Sequence, residues 1–429
     1  MYILGISAFY HDSAASLIKD GQVISAIQEE RLTRKKHDAA FPINSIKEIL
    51  ESQKLKLCDI NYVCFYEKPF LKFERLLETY IGHAPNGLVS FNRSMPLWIK
   101  EKLFQRKNIT NELRKIDKKF NKKIYFCEHH LSHAASAFFA SPFDDSIILT
   151  TDGVGEWATT TISIGKKNDI KILEEINYPH SIGLLYSAFT YYLGFKVNSG
   201  EYKVMGLAPY GSPLYKEKIL SQLIDLKTDG SFRLNQKYFN YSTGLTMINR
   251  NFENIFGEKR RNPEINKLTQ FHMDVASSIQ AVTEEILLKI IDYISSKYKQ
   301  NNLCLAGGVA LNCVANSKIL FKKKYKNVWI QPAAGDAGGA IGSALSLWYQ
   351  EFNNQRKTKK YDIMQGSFLG SEYNSDKVEE MLSKLQAVYA SDTYENITRK
   401  TAKLIAENKT IGWFQGRMEF GPRALGSRS

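Results

Sequence analysis

The chain has 429 residues, 43% of them hydrophobic and 24% charged, with a net charge of +14. That length allows two or three domains around a sizeable core, and the apolar content excludes a disordered chain. The positive charge invites a nucleic-acid partner, but the lysines are scattered, as in Lys322-Lys323-Lys324, and no dense basic run is interleaved with stacking aromatics.

A positive field suits phosphorylated small substrates equally well. The N-terminus has no basic region ahead of its apolar residues, and no apolar run approaches the roughly 18 residues of a membrane span. Five cysteines (Cys58, Cys64, Cys127, Cys304, Cys313) sit mostly in apolar runs without a C-x-x-C pair. These features predict a cytoplasmic protein with buried, reduced thiols and no membrane partner.

Taken in order, Tyr2 to Ser7 predicts a strand, followed by the polar loop Ala8-Phe9-Tyr10-His11-Asp12-Ser13. Ala14 to Ile18 is a second strand, Asp20-Gly21 a hairpin turn, and Gln22 to Ile27 a third strand. The charged run Glu29 to His37 directly follows and can wall a site for an anionic ligand. Pro42 opens a helix through Leu50. A strand over 60–66 precedes a mostly helical stretch over 70–120, broken near Pro85-Asn86-Gly87.

A short strand ending at Cys127 then leads into Glu128-His129-His130-Leu131-Ser132-His133 and an alanine-rich helix. His129 and His133, four apart, share a helix face at the spacing of H-E-x-x-H zinc sites. His130 and His133 could share a face as well, so spacing does not choose between them. Asp152, ending the run Ser146 to Thr151, and Asp336, in Pro332 to Gly339 between a strand and a helix, offer carboxylates. Two imidazoles with carboxylate suit iron, manganese or zinc with positions left open.

After Asp152 the chain echoes its start: strand 147–151, the glycine loop Asp152 to Glu156, strand 158–164, a turn at 167–169 and strand 170–176. Such a repeat suggests internal duplication, and the polar loop between its first two strands is how actin-like and sugar-kinase-like ATPases hold phosphate. A helix over 183–193 precedes the segment Asn198 to Gly211, whose glycines, charges and aromatics predict a binding loop. Residues 212–265 are irregular and turn-rich, and 268–298 have long helical periodicity. Leu303 to Ala306 is a strand leading through Gly307-Gly308 to Asn312 and a helix, an arrangement suited to an anion or nucleotide. Strand 328–331, the Asp336 loop and a helix from Ala340 to Tyr349 follow.

A polar linker over 351–361 precedes a new unit: helix 375–385, strand Ala387 to Ala390, helix 396–407 and strand Ile411 to Phe414. Arg417, Arg423 and Arg428 then lie among glycines like an anion cradle. Some sixty residues are few for an α/β domain, so this unit is expected to be incomplete.

Together these motifs resemble the NodU/CmcH family of O-carbamoyltransferases. The resemblance rests on Phe9 to Ala15, Glu29 to Arg31 with Arg34 to His37, His129 to Ser136, Thr151 to Glu156, Gly200 to Gly211, Gly307 to Asn312, Gly335 to Gly338 and Gly416 to Ser429. It implies an α/β fold: a duplicated actin-like ATPase of two ribonuclease H-like lobes over 1–350 (roughly 1–145 and 146–350). A linker over 351–365 and the start of a YrdC-like domain over 366–429 would follow.

The activity implied is ATP-dependent carbamoyl transfer from carbamoyl phosphate, through carbamoyl-adenylate, to a hydroxyl of a small sugar-like acceptor. The resemblance names His129, His133, Asp152 and Asp336 as ligands of a divalent metal, typically iron, which favours His129 over His130. His11 becomes the candidate base, supported by Asp12, and Lys36 a contact for the adenylate. Gly153, Gly155, Glu201, Lys203, Gly307, Gly308 and Asn312 would hold the nucleotide, ATP with magnesium being a substrate. Arg417 and Arg423 would hold carbamoyl phosphate. A second copy of the chain is a candidate partner, and nucleic acid is not expected.

Three rivals stand beside this reading. One is a tRNA threonylcarbamoyl-transfer protein, which predicts salt-sensitive tRNA binding. Another is a sugar kinase, which leaves the histidines unexplained. The third is a non-catalytic remnant that keeps metal and nucleotide binding.

Overall fold

The alternation of small and branched apolar residues in the first 28 positions folds as a three-stranded meander, β1 (Tyr2–Ser7), β2 (Ala14–Lys19) and β3 (Gln22–Gln28). Asp20 and Gly21 both adopt positive φ (48° and 79°), as a type I′ hairpin turn requires. β4 (Tyr62–Phe65) then pairs parallel with β1, and β5 (Ile124–Phe126) parallel with β4, giving the order β3-β2-β1-β4-β5. The structure, a computed structural model, describes residues 1–428, without the side chains of Leu97, Lys100 and Glu101.

The plan repeats. β6 (Asp145–Thr151), β7 (Ala158–Lys166) and β8 (Asp169–Asn177) form a second meander. A separate hairpin of β9 (Ile224–Leu226) and β10 (Phe232–Leu234) intervenes. β11 (Asn302–Ala306) pairs parallel with β6, and β12 (Asn327–Ile330) parallel with β11. The second sheet is therefore β8-β7-β6-β11-β12, with the order and polarity of the first. The protein is α/β with two mixed sheets of one topology.

Two helices lie between the sheets, His129–Phe138 and Asp336–Ser346. Their alanines share one core with Ile3, Ala14 and Ile18 of the first sheet and Ile148, Cys304 and Ala306 of the second. The helices touch backbone to backbone. A Cβ on Gly342 would stand 1.7 Å from the Ser132 carbonyl oxygen, so only glycine allows this approach. The outer face of the first sheet is covered by helix Ile43–Ser52, and that of the second by the long helix Gln270–Lys297.

Several expectations are corrected. Asp336 is not in a loop before a helix at Ala340; it is the first residue of the helix, which ends at Ser346 and continues as a π-turn over Leu347–Glu351. The expected loop at Asn198 to Gly211 contains helix Glu201–Leu207. The region 212–265 gains the β9–β10 hairpin and helix Arg250–Phe256. Cys58 and Cys313 are exposed rather than buried, and all five thiols are free.

Strands at Ala387–Ala390 and Ile411–Phe414 do not form, apart from a single bridge between Phe414 and Arg428. Their apolar residues favour a pleat, but no described strand lies alongside to complete a ladder. The neighbouring helices Ser375–Lys384 and Tyr394–Ala406 do form, capped by the side chains of Asn374 and Thr393, with no buried residue. The linker is anchored rather than free: the guanidinium of Arg356 donates to the carbonyls of Phe138, Ser141 and Phe143. Among the described residues, no helix is long and apolar enough to cross a membrane.

Candidate metal and transfer site

The histidine helix starts at His129, one turn from His133. Its start is fixed from below by Glu156, both of whose carboxylate oxygens accept from the His129 amide at 3.0 Å. The Nε2 atoms of His129 and His133 face the same point from one helix. Asp152 enters from the end of β6, its Oδ2 3.0 Å from His129 Nε2 and 3.7 Å from His133 Nε2. Asp336 enters from the first turn of its own helix, its Oδ1 3.8 Å from both nitrogens. All four side chains are buried, with one donor atom from each lying within 4.8 Å of the others.

His130 points elsewhere, its Nδ1 3.2 Å from Thr161 Oγ1, and burial together with the neighbouring His129 lowers its pKa to about 3. Burial opposes a charge on His129, but the hydrogen bond and charge of Asp152, with the charge of Asp336, raise it to about 9. Asp152 is held far below the usual carboxylate range against its burial by the two imidazoles. Two Nε2 nitrogens and two carboxylate oxygens converging on one buried point are a donor set that fits a divalent transition metal.

The first hairpin loop reaches this centre. His11 Nε2 lies 3.7 Å from Asp336 Oδ2, while its Nδ1 donates to Asp12 Oδ2 at 2.8 Å. Asp12 Oδ1 accepts at 2.8 Å from Nδ1 of His37, whose backbone amide donates to Glu30. Against burial, Asp336 and Asp12 raise His11 to about 10. His37 and Glu30 stood in the charged run without an assigned role. Asp12, Glu30 and His37 form a second, half-buried group of potential ligands. Tyr66, whose hydroxyl donates to Asp336 at 3.4 Å, was invisible in the sequence, being one more aromatic after a strand.

The expected nucleotide residues divide. The Gly308 amide donates to Asp152 Oδ1 at 2.8 Å, tying that glycine loop to the histidine–aspartate group. Gly307, at φ +87°, packs on the Thr151 carbonyl. Gly155 lies against the rings of His129 and His130, and Gly153 has open space around it. Asn312 caps the helix Cys313–Phe321 and bonds Gln280, a partner the sequence did not single out. Glu201 accepts from Ser187 and the amides of Asn198 and Gly200. Lys203 is exposed, and Lys36 reaches across to the ring of Tyr202 at 5.5 Å.

Of the arginines, Arg423 donates to the Leu311 carbonyl beside the Gly308 loop. Arg417 donates to the carbonyls of Ile24, Leu369 and Gly370, an assignment to backbone rather than to an open cradle.

Paired sheets of one topology, with a buried group of two histidines and two aspartates between them that could hold a metal ion, define the α/β architecture of the protein. The chain belongs to the carbamoyltransferase family: residues 2–345 match the model of the carbamoyltransferase N-terminus and 402–429 that of the C-terminus. It is 55% identical over 433 residues to the uncharacterized protein sll1178 of Synechocystis, covering all of this chain and 70% of that one. It is 35% identical to the nodulation protein NolNO of Sinorhizobium fredii, covering 99% of this chain and 58% of that one. Full-length HypF, in its phosphate- and nucleotide-bound form, superposes with a TM-score of 0.42 at 13% identity, over 81% of this chain and 55% of that one.

Proposed function

We propose that this chain performs the transfer half of an ATP-dependent O-carbamoylation. Residues 1–350 form an actin-like frame in two lobes, and 366–429, after the linker at 351–365, belong to a YrdC-like module that makes carbamoyl-adenylate from carbamoyl phosphate and ATP. The observation that carries the reading is the juxtaposition of His11 with Asp336, which brings a base candidate from one sheet to the donor set of the other.

In the transfer step an acceptor hydroxyl attacks the carbamoyl carbon, forming a C–O bond. The bond from that carbon to the phosphate oxygen breaks, and AMP leaves with the electron pair. Asp12 holds Nδ1 of His11, which leaves Nε2 to take the hydroxyl proton. His37 steadies Asp12 from its other oxygen. Gly308 fixes Asp152, and Glu156 fixes the start of the histidine helix. His129, His133, Asp152 and Asp336 would hold a divalent metal such as iron(II), which when bound supplies Lewis-acid charge and offsets the carboxylate field that keeps His11 protonated.

The test is mass spectrometry of the chain incubated with carbamoyl phosphate, ATP, ferrous iron and a panel of hydroxylated sugars as acceptors. AMP and a carbamoylated product, the latter lost in His11→Ala, are expected. ATP turnover with no dependence on carbamoyl phosphate would sink the reading and favour a kinase.

A further inference from the structure

Beside the first hairpin loop, helix Pro69–His83 buries two cations on one face, Lys72 and Arg75, each less than a tenth exposed. They are not treated alike. The Lys72 ammonium lies 2.6 Å from Glu67 Oε2, so its charge is neutralised locally. Arg75 donates one hydrogen bond, from Nη1 to the Gly155 carbonyl at 2.9 Å, and lies 5.0 Å from the Tyr178 ring centroid. Among the described residues it makes no close ion pair, and only the more distant charges of Glu156 and Glu67 act on it. Its other nitrogens make no hydrogen bond, yet they are not sealed from solvent. Glu156, on the same loop as Gly155, is occupied by the amides of His129 and Lys68.

A largely buried guanidinium whose free donors still reach solvent offers them to an anion, and its planar fork matches phosphate or carboxylate. The surroundings say what else that anion carries. Tyr10, 47% exposed, lies over the Lys72 ammonium at 4.9 Å and stacks beside His11 at 4.5 Å between ring centroids. The Tyr178 ring also lies against Arg75. Tyr10 lies near enough to Arg75 for their charges to interact, so a ring packed on Tyr10 beside His11 can carry an anionic substituent within reach of Arg75.

We propose that the carbamoyl acceptor is an anionic hydroxylated ring, a sugar bearing a phosphate or a carboxylate, whose charge is bound by Arg75 and whose ring packs against Tyr10. This rests on the transfer reading above for the role of the ligand, but not for its binding. The same anion chemistry could belong to the phosphate of the donor, and the experiment separates the two.

Binding of glucose 6-phosphate, glucuronate and glucose to the full chain is measured by calorimetry with AMP present, in wild type and in Arg75→Gln, Arg75→Lys and Tyr10→Leu. At least one of the two anionic sugars binds more tightly than glucose, and Arg75→Gln weakens it about tenfold, the scale of one charge-assisted hydrogen bond. Arg75→Lys recovers part of the loss, Tyr10→Leu weakens all three sugars, and AMP affinity is unchanged throughout. Equal affinity for all three sugars in wild type overturns the proposal. So does an Arg75→Gln effect on AMP instead of on the sugars, which gives Arg75 to the donor. If Arg75→Gln does not fold, Arg75→Lys and the exposed Tyr10→Leu decide. Carbamoyl-dependent AMP formation, scored separately, reports on the transfer reading alone.

Discussion

The Nε2 atoms of His129 and His133 lie 3.1 Å apart, and their rings stand nearly perpendicular, at 83°. Two imidazoles one helical turn apart can avoid each other by rotating. Here the Asp336 helix, pressed against the histidine helix through Gly342, leaves them converging on one point with two carboxylates opposite.

Chain purified without chelators is therefore expected to retain a divalent transition metal. His129→Ala and Asp336→Asn lower its affinity at least about 100-fold, beyond the 10- to 100-fold typical of losing an outer partner. His130→Gln, whose ring nitrogen bonds Thr161 and not the donor set, leaves it unchanged. Elemental analysis checks this, and metal lost in His130→Gln but kept in His129→Ala would assign the ligand to the wrong histidine.

Gly342→Ala places a methyl group where the Ser132 carbonyl oxygen stands. The two helices must move apart, which costs about 3 kcal/mol, and Asp336 moves with its helix. Denaturant unfolding should show the loss of stability together with a drop in retained metal. An unchanged midpoint would mean that the helices are not locked at this point.

Glu174, on β8, accepts hydrogen bonds from Tyr293, Lys297 and Tyr298. Burial works the other way, but these partners hold its pKa below its ordinary 4.5. A depressed carboxylate contributes stability that is present above the unfolded value and lost as pH falls through the folded one. Wild type should therefore exceed Glu174→Gln in melting temperature at pH 7, and the gap should close below about pH 4.5. A gap that widened on acidification would contradict the sign.

Glu419 is buried in the last turn of the chain and accepts from the amides of Leu425 and Ser427, both at 2.8 Å, while Arg428 pairs with its other oxygen at 3.3 Å. Glu419→Ala leaves those amides unpaired at a cost of about 2 kcal/mol. Hydrogen exchange should quicken at Leu425 and Ser427, with the sheets unaffected. Faster exchange spread evenly over the chain would show that the turn has no local stability of its own.

How much of this was legible depends on the distance over which the cause acts. Strand periodicity, the Asp20-Gly21 turn and the shared face of His129 and His133 are local, and the sequence alone carried them. So did the repeated meander, which reappears as two sheets of identical order. The motifs carried the family. The strands at 387–390 and 411–414 failed because an apolar run states a preference for a pleat and says nothing about whether a neighbour is present to pair with it.

Tertiary structure alone decided which charges meet. It put Arg417 on backbone carbonyls, linked His11, Asp12 and His37 into a chain, and buried Arg75 with its hydrogen bond to the Gly155 carbonyl. The spacing of residues along one helix fixes their common face. The arrival of Asp336 beside His129, however, depends on two helices approaching through glycine and alanine between two sheets. Close packing of that kind is a property of surfaces distant in sequence, and no local pattern encodes it.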